Sequence, residues 1–290
     1  MIAAVIVSYN PDLNLLDKNI NSIIHQVDKL IIYDNNSRNR NDLLKRYCDL
    51  PGVELKLSES NDGISKALNN SIFSLDDRFD WVLTLDQDSI CPSNLIIEFS
   101  KFFKLDDIAL ICPSIQLTNG ISIQQCAKNT EYQYIERCIT SASLMNIKLF
   151  REIGGFDEFF FIDNVDHEIC KRIIIAGYKI LLCGNVTLLH NLGSSSPVLF
   201  SVWLNKHFHT KIIYQTYSPF RIYYLVRNSI YFIRKFRKHM KIREYYYYVR
   251  LIFWHVSFKS LIVGNEKISI IKAIFKGTLD GVSCKVEPLR

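Results

Sequence analysis

The sequence predicts an α/β protein in which a mostly parallel sheet is extended by a mixed sheet and followed by a basic helical C-terminal region. Three observations carry that expectation. Short apolar runs rich in β-branched residues alternate with helix-period segments over residues 1 to 112, polar residues gather where the runs end, and the balance of charge reverses near residue 200.

Ile2-Ala3-Ala4-Val5-Ile6-Val7 is apolar throughout, the pattern of a strand buried on both faces, and gives a first strand over 2–8. A helix over 13–26 follows, then a strand over 29–33, a helix over 41–48, a strand over 53–57 and a helix over 63–75. The run Trp81-Val82-Leu83-Thr84-Leu85 sets a fourth strand over 80–86, ahead of a helix over 93–104 and a strand over 108–112. Such alternation with short connections makes the strands mostly parallel, with helices on both faces and ligands at the carboxyl ends of the strands. Beyond residue 113 the rhythm lapses. Segments 114–127 and 138–146 read as strands of a mixed sheet, Val165, Ile169, Ile173 and Ala176 recur at helical spacing over 164–176, and Val186-Thr187-Leu188-Leu189 reads as a further strand.

The 290 residues, 48% of them apolar, suffice for one large core or two smaller ones. Residues 201–290 hold 17 Lys and Arg against 4 Asp and Glu, a net of +13, whereas residues 1–200 hold 18 against 25, a net of −7. The expected organisation is a domain over 1–200 and a basic, aromatic-rich helical region over 201–290. Met1 leads into the first strand without a basic segment or a cleavage site, so the chain is expected to stay in the cytoplasm. The eight cysteines include no Cys-x-x-Cys pair. Cys48, Cys112, Cys170 and Cys183 lie in apolar patterns, so buried free thiols are expected rather than a disulfide frame or a zinc site.

The sharpest motif is Leu85-Asp86-Gln87-Asp88, an apolar strand running into two carboxylates at alternate positions. Hard divalent ions take a few carboxylates plus substrate phosphate oxygens, so this arrangement points to nucleoside-diphosphate chemistry. Taken alone, it also matches an ordinary turn. Three other strand ends are polar in the same way: Ser8-Tyr9-Asn10-Pro11, Asp34-Asn35-Asn36-Ser37 and Asn61-Asp62-Gly63. Neither Gly-x-Gly-x-x-Gly nor a Walker loop follows the first strand, which removes the usual support for dinucleotide redox or phosphoryl transfer. Asp163 and Asp166 fall in the first turn of the helix near 164–176. An acid there serves either as a cap that complements the helix dipole or as a general base that takes a proton from a hydroxyl. His190, at a strand end before Asn191-Leu192-Gly193, is either structural or a contact to metal or diphosphate.

In combination these segments resemble the family 2 glycosyltransferases of the GT-A fold, a Rossmann-like nucleotide-diphospho-sugar transferase architecture. The resemblance runs over roughly residues 1–235 and rests on Val5-Ile6-Val7-Ser8-Tyr9-Asn10, Asp34-Asn35-Asn36-Ser37, Asn61-Asp62-Gly63-Ile64, Asp86-Gln87-Asp88, Gly154-Gly155-Phe156-Asp157, Asp166 with Glu168 and Arg172, and His190 with Gly193. Within the family, Leu85 to Ser89, the Phe161-Ile162-Asp163-x-Val165-Asp166 spacing and Arg221-Ile222-Tyr223-Tyr224 with Arg227-Asn228 are most similar to bacterial rhamnosyltransferases. The resemblance implies that Ser8, Tyr9, Asn10, Asp34, Gly63 and Asp86 bind the donor, with Tyr9 and Asp34 beside the nucleobase and Asp86 by the ribose. It implies that Asp88 and His190 hold a divalent ion, Mg²⁺ or Mn²⁺, and that Asp166 is the catalytic base, supported by Asp163, Glu168 and Arg172. Many relatives carry Glu-Asp where this chain has Val165-Asp166. The implied activity is inverting transfer of a sugar, L-rhamnose from dTDP-L-rhamnose, to a lipid-linked oligosaccharide in O-antigen (lipopolysaccharide) or other cell-surface polysaccharide synthesis. The alternatives are a UDP-hexose or UDP-galactofuranose donor, or a catalytically silent subunit that binds nucleotide-sugar or glycolipid.

Residues 221–263 interleave aromatic and basic side chains, among them Tyr231, Phe232, Arg234, Lys235, Arg237, Lys238, Tyr245 to Tyr248, Phe253 and Trp254. The uncharged stretch Leu251 to Phe258 is too short to span a bilayer. The mixture suits a lipid interface, so peripheral association with the inner face of the cell membrane and a polyprenyl-diphosphate-linked acceptor are expected. Nucleic acid is not expected as a partner, because no recognition motif accompanies the basic residues and the front half is acidic.

Overall fold

The computed structural model describes residues 1–117, 120–127, 129–190, 217–264 and 266–289, with only the backbone of His190, His255 and Val263. The described chain forms two compact units, Met1–Phe161 with Val165–Asn191 and Ile162–Asn164 with Leu192–Arg290. The boundary expected after residue 200 lies outside the described residues.

In the first unit, β1 (Ile2–Ser8), β2 (Lys29–Asp34), β3 (Val53–Leu57), β4 (Trp81–Asp86), β5 (Ile108–Leu117), β6 (Ser122–Gln124), β7 (Tyr132–Ile135), β8 (Ser143–Asn146) and β9 (Lys179–His190) make one sheet. Its order is β3-β2-β1-β4-β8-β5-β9-β7, with β6 on β5. The first four strands are mutually parallel. β8 runs antiparallel between β4 and β5, and β9 returns parallel to β5, so the sheet is mixed in its second half. β1 and β2 are buried at nearly every position, as expected of strands covered on both faces.

Helices α1 (Leu13–Ile23), α2 (Arg40–Tyr47), α3 (Gly63–Ile72), α4 (Leu95–Ser100), α5 (Ile147–Glu152) and α6 (Val165–Ile175) accompany the sheet. α1 shows why. Asp12 accepts from the amides of Asn14 and Leu15 and so satisfies two orphan donors, while Leu16, Ile20 and Ile23 recur on one face and join the core.

The structure departs from the sequence expectations in several places. The strand expected over 138–146 is reduced to β8, and the one over 114–127 divides into the extension of β5 and the short β6. β7 has no counterpart in the sequence expectations, because its four residues Tyr132-Gln133-Tyr134-Ile135 give too short a pattern to assign. All eight cysteines are free, and Cys91, Cys112, Cys138, Cys170 and Cys183 are buried. Cys48 is exposed, contrary to expectation. Leu43 and Tyr47 carry the inward face of α2, and a residue about 100° further round the helix turns away from it.

The second unit is helical in its described part: α7 (Pro219–Phe236), α8 (Ile242–Arg250), a stretch of widened helical turns over Leu251–Phe258, α9 (Lys259–Val263) and α10 (Lys267–Ser283). Ser218 caps α7, with Pro219 at its first position. Ile222, Val226, Ile252, Val256 and Ile270 form a core cluster. Tyr231, Phe232, Phe236 and Tyr248 are also buried, so part of the aromatic run read as a lipid interface is instead interior. Among the described residues no helix is long and apolar enough to cross a membrane.

Candidate functional site

Parallel pairing brings three of the sequence-predicted acidic and polar strand ends to one edge, since Ser8 is opposite Asp34 and Val7 is opposite Asp86. Ser8 and Asp34 are buried, and the Ser8 hydroxyl donates to Asp34 at 3.3 Å. Asp34 also accepts from the Ser37 amide at 3.0 Å and from the Ser37 hydroxyl. Its carboxylate is thereby fixed before any ligand arrives. Tyr9 is 49% exposed and offers an open aromatic face at the strand end. Asn10, at φ +48°, donates its amide to Ser37 and accepts from the Arg38 amide, which folds the ends of β1 and β2 together. Gly63, at φ +79°, opens α3, and a Cβ there would lie 2.6 Å from the Phe161 ring. Close packing and the positive φ both favour glycine here.

Beside Gly63, Asp62 accepts from Ser58, Lys66 and Tyr33 at 2.7, 3.0 and 2.9 Å. Burial pushes its carboxyl up, but these donors outweigh burial and hold it down at about 2.

The acidic turn after β4 is held from three sides. The Gln87 side chain accepts from the Tyr9 amide at 2.8 Å, Asn19 of α1 donates to the Asp86 carbonyl at 2.6 Å, and the hydroxyls of Ser89 and Ser141 lie 2.5 Å apart. Asp86 and Asp88 are half-buried within it. Ile90 bridges to Leu189, so the backbone leaving the turn runs beside the end of β9. The side chain of His190 lies outside the described residues. Among the described residues no cluster of three His, Cys, Asp or Glu side chains is arranged to hold a metal. Two carboxylates on a fixed turn nevertheless supply the hard oxygen donors that Mg²⁺ or Mn²⁺ shares with a diphosphate.

Asp166 stands on a separate element, in the first turn of α6, and accepts from the His167 amide at 2.8 Å. The rest of that helix is anchored inward. Arg172 grips Glu168 with two contacts, 2.6 and 2.7 Å, and donates to the carbonyls of Ile153 and Gly155. α3 holds the intervening chain: Asn69 exchanges hydrogen bonds with the backbone of Phe156, Ser65 donates to the Phe160 carbonyl at 2.7 Å, and the Ile64 amide donates to the Phe161 carbonyl at 2.7 Å.

Asp163 does not fall in the first turn. It precedes α6 at φ +62°, belongs to the second unit and pairs with Arg221 at 2.5 Å. Asn228 donates to the carbonyls of Ile162 and Asp163 at 2.7 and 2.9 Å. Sequence reasoning missed Asn19, Ser65, Asn69 and Ser141. The available signal was a polar residue at an inward position, as with Asn19 on the stripe of Leu16, Ile20 and Ile23.

A sheet of this order, with an acidic turn where its fourth strand ends, has the architecture of the GT-A fold. The family model described as "Glycosyl transferase family 2" matches residues 3–125, which makes that part of the chain a family 2 glycosyltransferase domain. It is 27% identical over 298 residues to dTDP-rhamnosyl transferase RfbF of Shigella flexneri, covering 97% of this chain and 95% of that protein. It is 24% identical over 250 residues to the low-salt glycan biosynthesis hexosyltransferase Agl10 of Haloferax volcanii, covering 79% and 76%. Among solved structures, TarS 1-349 of S. aureus in complex with UDP-GlcNAc superposes with TM-score 0.60 at 12% identity over 96% of this chain and 81% of that one. GalNAc-T7 with UDP, GalNAc and Mn²⁺ gives 0.59 at 15% identity over 79% of this chain, which spans half of that longer one.

Proposed function

We propose that the protein transfers L-rhamnose from dTDP-L-rhamnose, with inversion, to a polyprenyl-diphosphate-linked oligosaccharide at the inner face of the cell membrane, in O-antigen or related polysaccharide synthesis. The observation that carries the donor is the likeness to a dTDP-rhamnosyl transferase over almost the full length of both chains. In this reading the acceptor hydroxyl gives its proton to the Asp166 carboxylate as its oxygen attacks the anomeric carbon, and the bond to the diphosphate breaks on the opposite face. Asp88, with His190, would hold a divalent ion, which when bound would offset the negative charge that grows on the departing diphosphate, and Asp86 would lie by the ribose. Tyr9 and Asp34 border the nucleobase, and the fixed turn at 86–89 orients the diphosphate without reorganising.

Label from dTDP-rhamnose and from UDP-sugars, followed into glycolipid with Mg²⁺ or Mn²⁺ present, tests the donor. Incorporation from dTDP-rhamnose alone is expected, and incorporation from a UDP-sugar alone would overturn the rhamnose assignment. Asp166→Asn should lower turnover by roughly 10²–10⁴-fold while donor affinity persists. An unchanged rate would remove Asp166 as the base.

A further inference from the structure

α10 has two apolar faces. At about 100° per residue, Ile270, Gly277 and Gly281 share one side, and all three are buried. Ile268, Ile271, Phe275, Leu279 and Val282 line the opposite side, and each is more than half exposed. The helix is not free to turn this second stripe inward. A Cβ at Gly277 would stand 2.7 Å from the Tyr223 carbonyl oxygen, and one at Gly281 would stand 2.9 Å from that of Arg227, so only glycine fits the side that meets α7. The outward stripe is therefore a built surface rather than an alternative packing of the same helix.

Its surroundings fit one kind of partner. Lys267, Lys272 and Lys276 are exposed and flank the stripe by helical position; Lys267 donates to the carbonyls of Leu261 and Ile262 and Lys276 pairs with Asp280, while the long stem of Lys272 can lie along apolar surface with its ammonium group outward. The acidic residue of the helix, Asp280, is engaged by Tyr223 at 2.6 Å and Lys276 at 2.9 Å. Residues 217–289 hold 14 Lys and Arg against 4 Asp and Glu, a net of +10. A second copy docked on this stripe would bring like charge against like charge, whereas an anionic bilayer complements the net positive charge of this region and accepts the apolar side chains. We infer that the Ile268-Ile271-Phe275-Leu279-Val282 face of α10 is the lipid-inserting surface of the protein, lying in the plane of an anionic bilayer. This rests on the membrane-surface association proposed above and assigns it to a face outside the residue 221–263 run that the sequence singled out.

The test is flotation of the full chain with vesicles of phosphatidylglycerol and phosphatidylethanolamine, compared with phosphatidylcholine, using the parent and the double variant Ile271→Glu/Phe275→Glu. Both positions are exposed, so the fold should persist, and circular dichroism checks this. The parent is expected to float with the anionic vesicles and to be released by salt, and the variant to partition at least tenfold less. Equal flotation of the two proteins, or a parent that ignores anionic vesicles, would overturn the inference. So would a parent that sediments as a dimer, fails to float and becomes monomeric on substitution, which would make the face a contact between copies. Turnover of dTDP-rhamnose on a water-soluble acceptor separates this from the sugar-transfer reading: flotation without turnover spares the surface and removes the donor, and turnover without flotation does the reverse.

Discussion

Two arginine–carboxylate pairs flank Asp166 in the sequence, and they differ in nearly everything except chemistry. Glu168 and Arg172 are 1% and 7% exposed, joined by two contacts, with two further guanidinium donors spent on backbone carbonyls. Asp163 and Arg221 are 10% and 46% exposed and belong to the second unit. A buried pair cannot lose one member without stranding a charge, while water and salt can replace part of the interaction in a pair whose arginine is half exposed. The first pair is thus a condition of folding for the helix that carries Asp166, and the second adjusts a loop.

Four measurements sharpen that contrast, beginning with the largest effect. Arg172→Met should lower unfolding free energy by about 3–5 kcal/mol in urea titration, and adding Glu168→Leu should recover much of it. A loss below about 1 kcal/mol would dissolve the distinction between the pairs. Asn69→Ala, which strands the Phe156 backbone groups, should cost about 1–3 kcal/mol and slow turnover without altering donor binding. Asp62 has a folded value near 2, below its ordinary 3.8, so its contribution is complete above about pH 4 and is lost as pH falls through 2. Asp62→Asn should accordingly be less stable than the parent at pH 7 and converge with it in acid melts. Arg221→Ala should cost no more than about 1 kcal/mol, and the cost should shrink further in salt.

Most of the first unit was legible because its signals are local. Continuous apolar runs fix β1, β2 and β4, and the polar residues that close them mark the edge of the candidate site. What was not legible depends on distant partners. β8 is four residues long and is a strand because β4 and β5 flank it. Ser65 and Asn69 look like ordinary helix-surface residues until the chain near Phe156 and Phe160 lies against them. In the tail, composition identified aromatic and basic character correctly but could not divide inward from outward aromatics. Tyr231 and Tyr248 are buried while Phe253 and Trp254 are exposed.

The distribution of sulfur gives the chain a reporter of its own folding. Five thiols, Cys91, Cys112, Cys138, Cys170 and Cys183, lie buried in the first unit, and Cys48 alone is exposed. Burial pushes the Cys91 thiol up to about 12, and hydrogen bonding to a neighbouring thiol together with burial raises Cys138 and Cys170. A maleimide offered to the native protein should therefore reach Cys48 and the half-exposed Cys126 and Cys284 first and those five only when the sheet opens, so the rate of later labelling measures the opening of the sheet without any engineered probe.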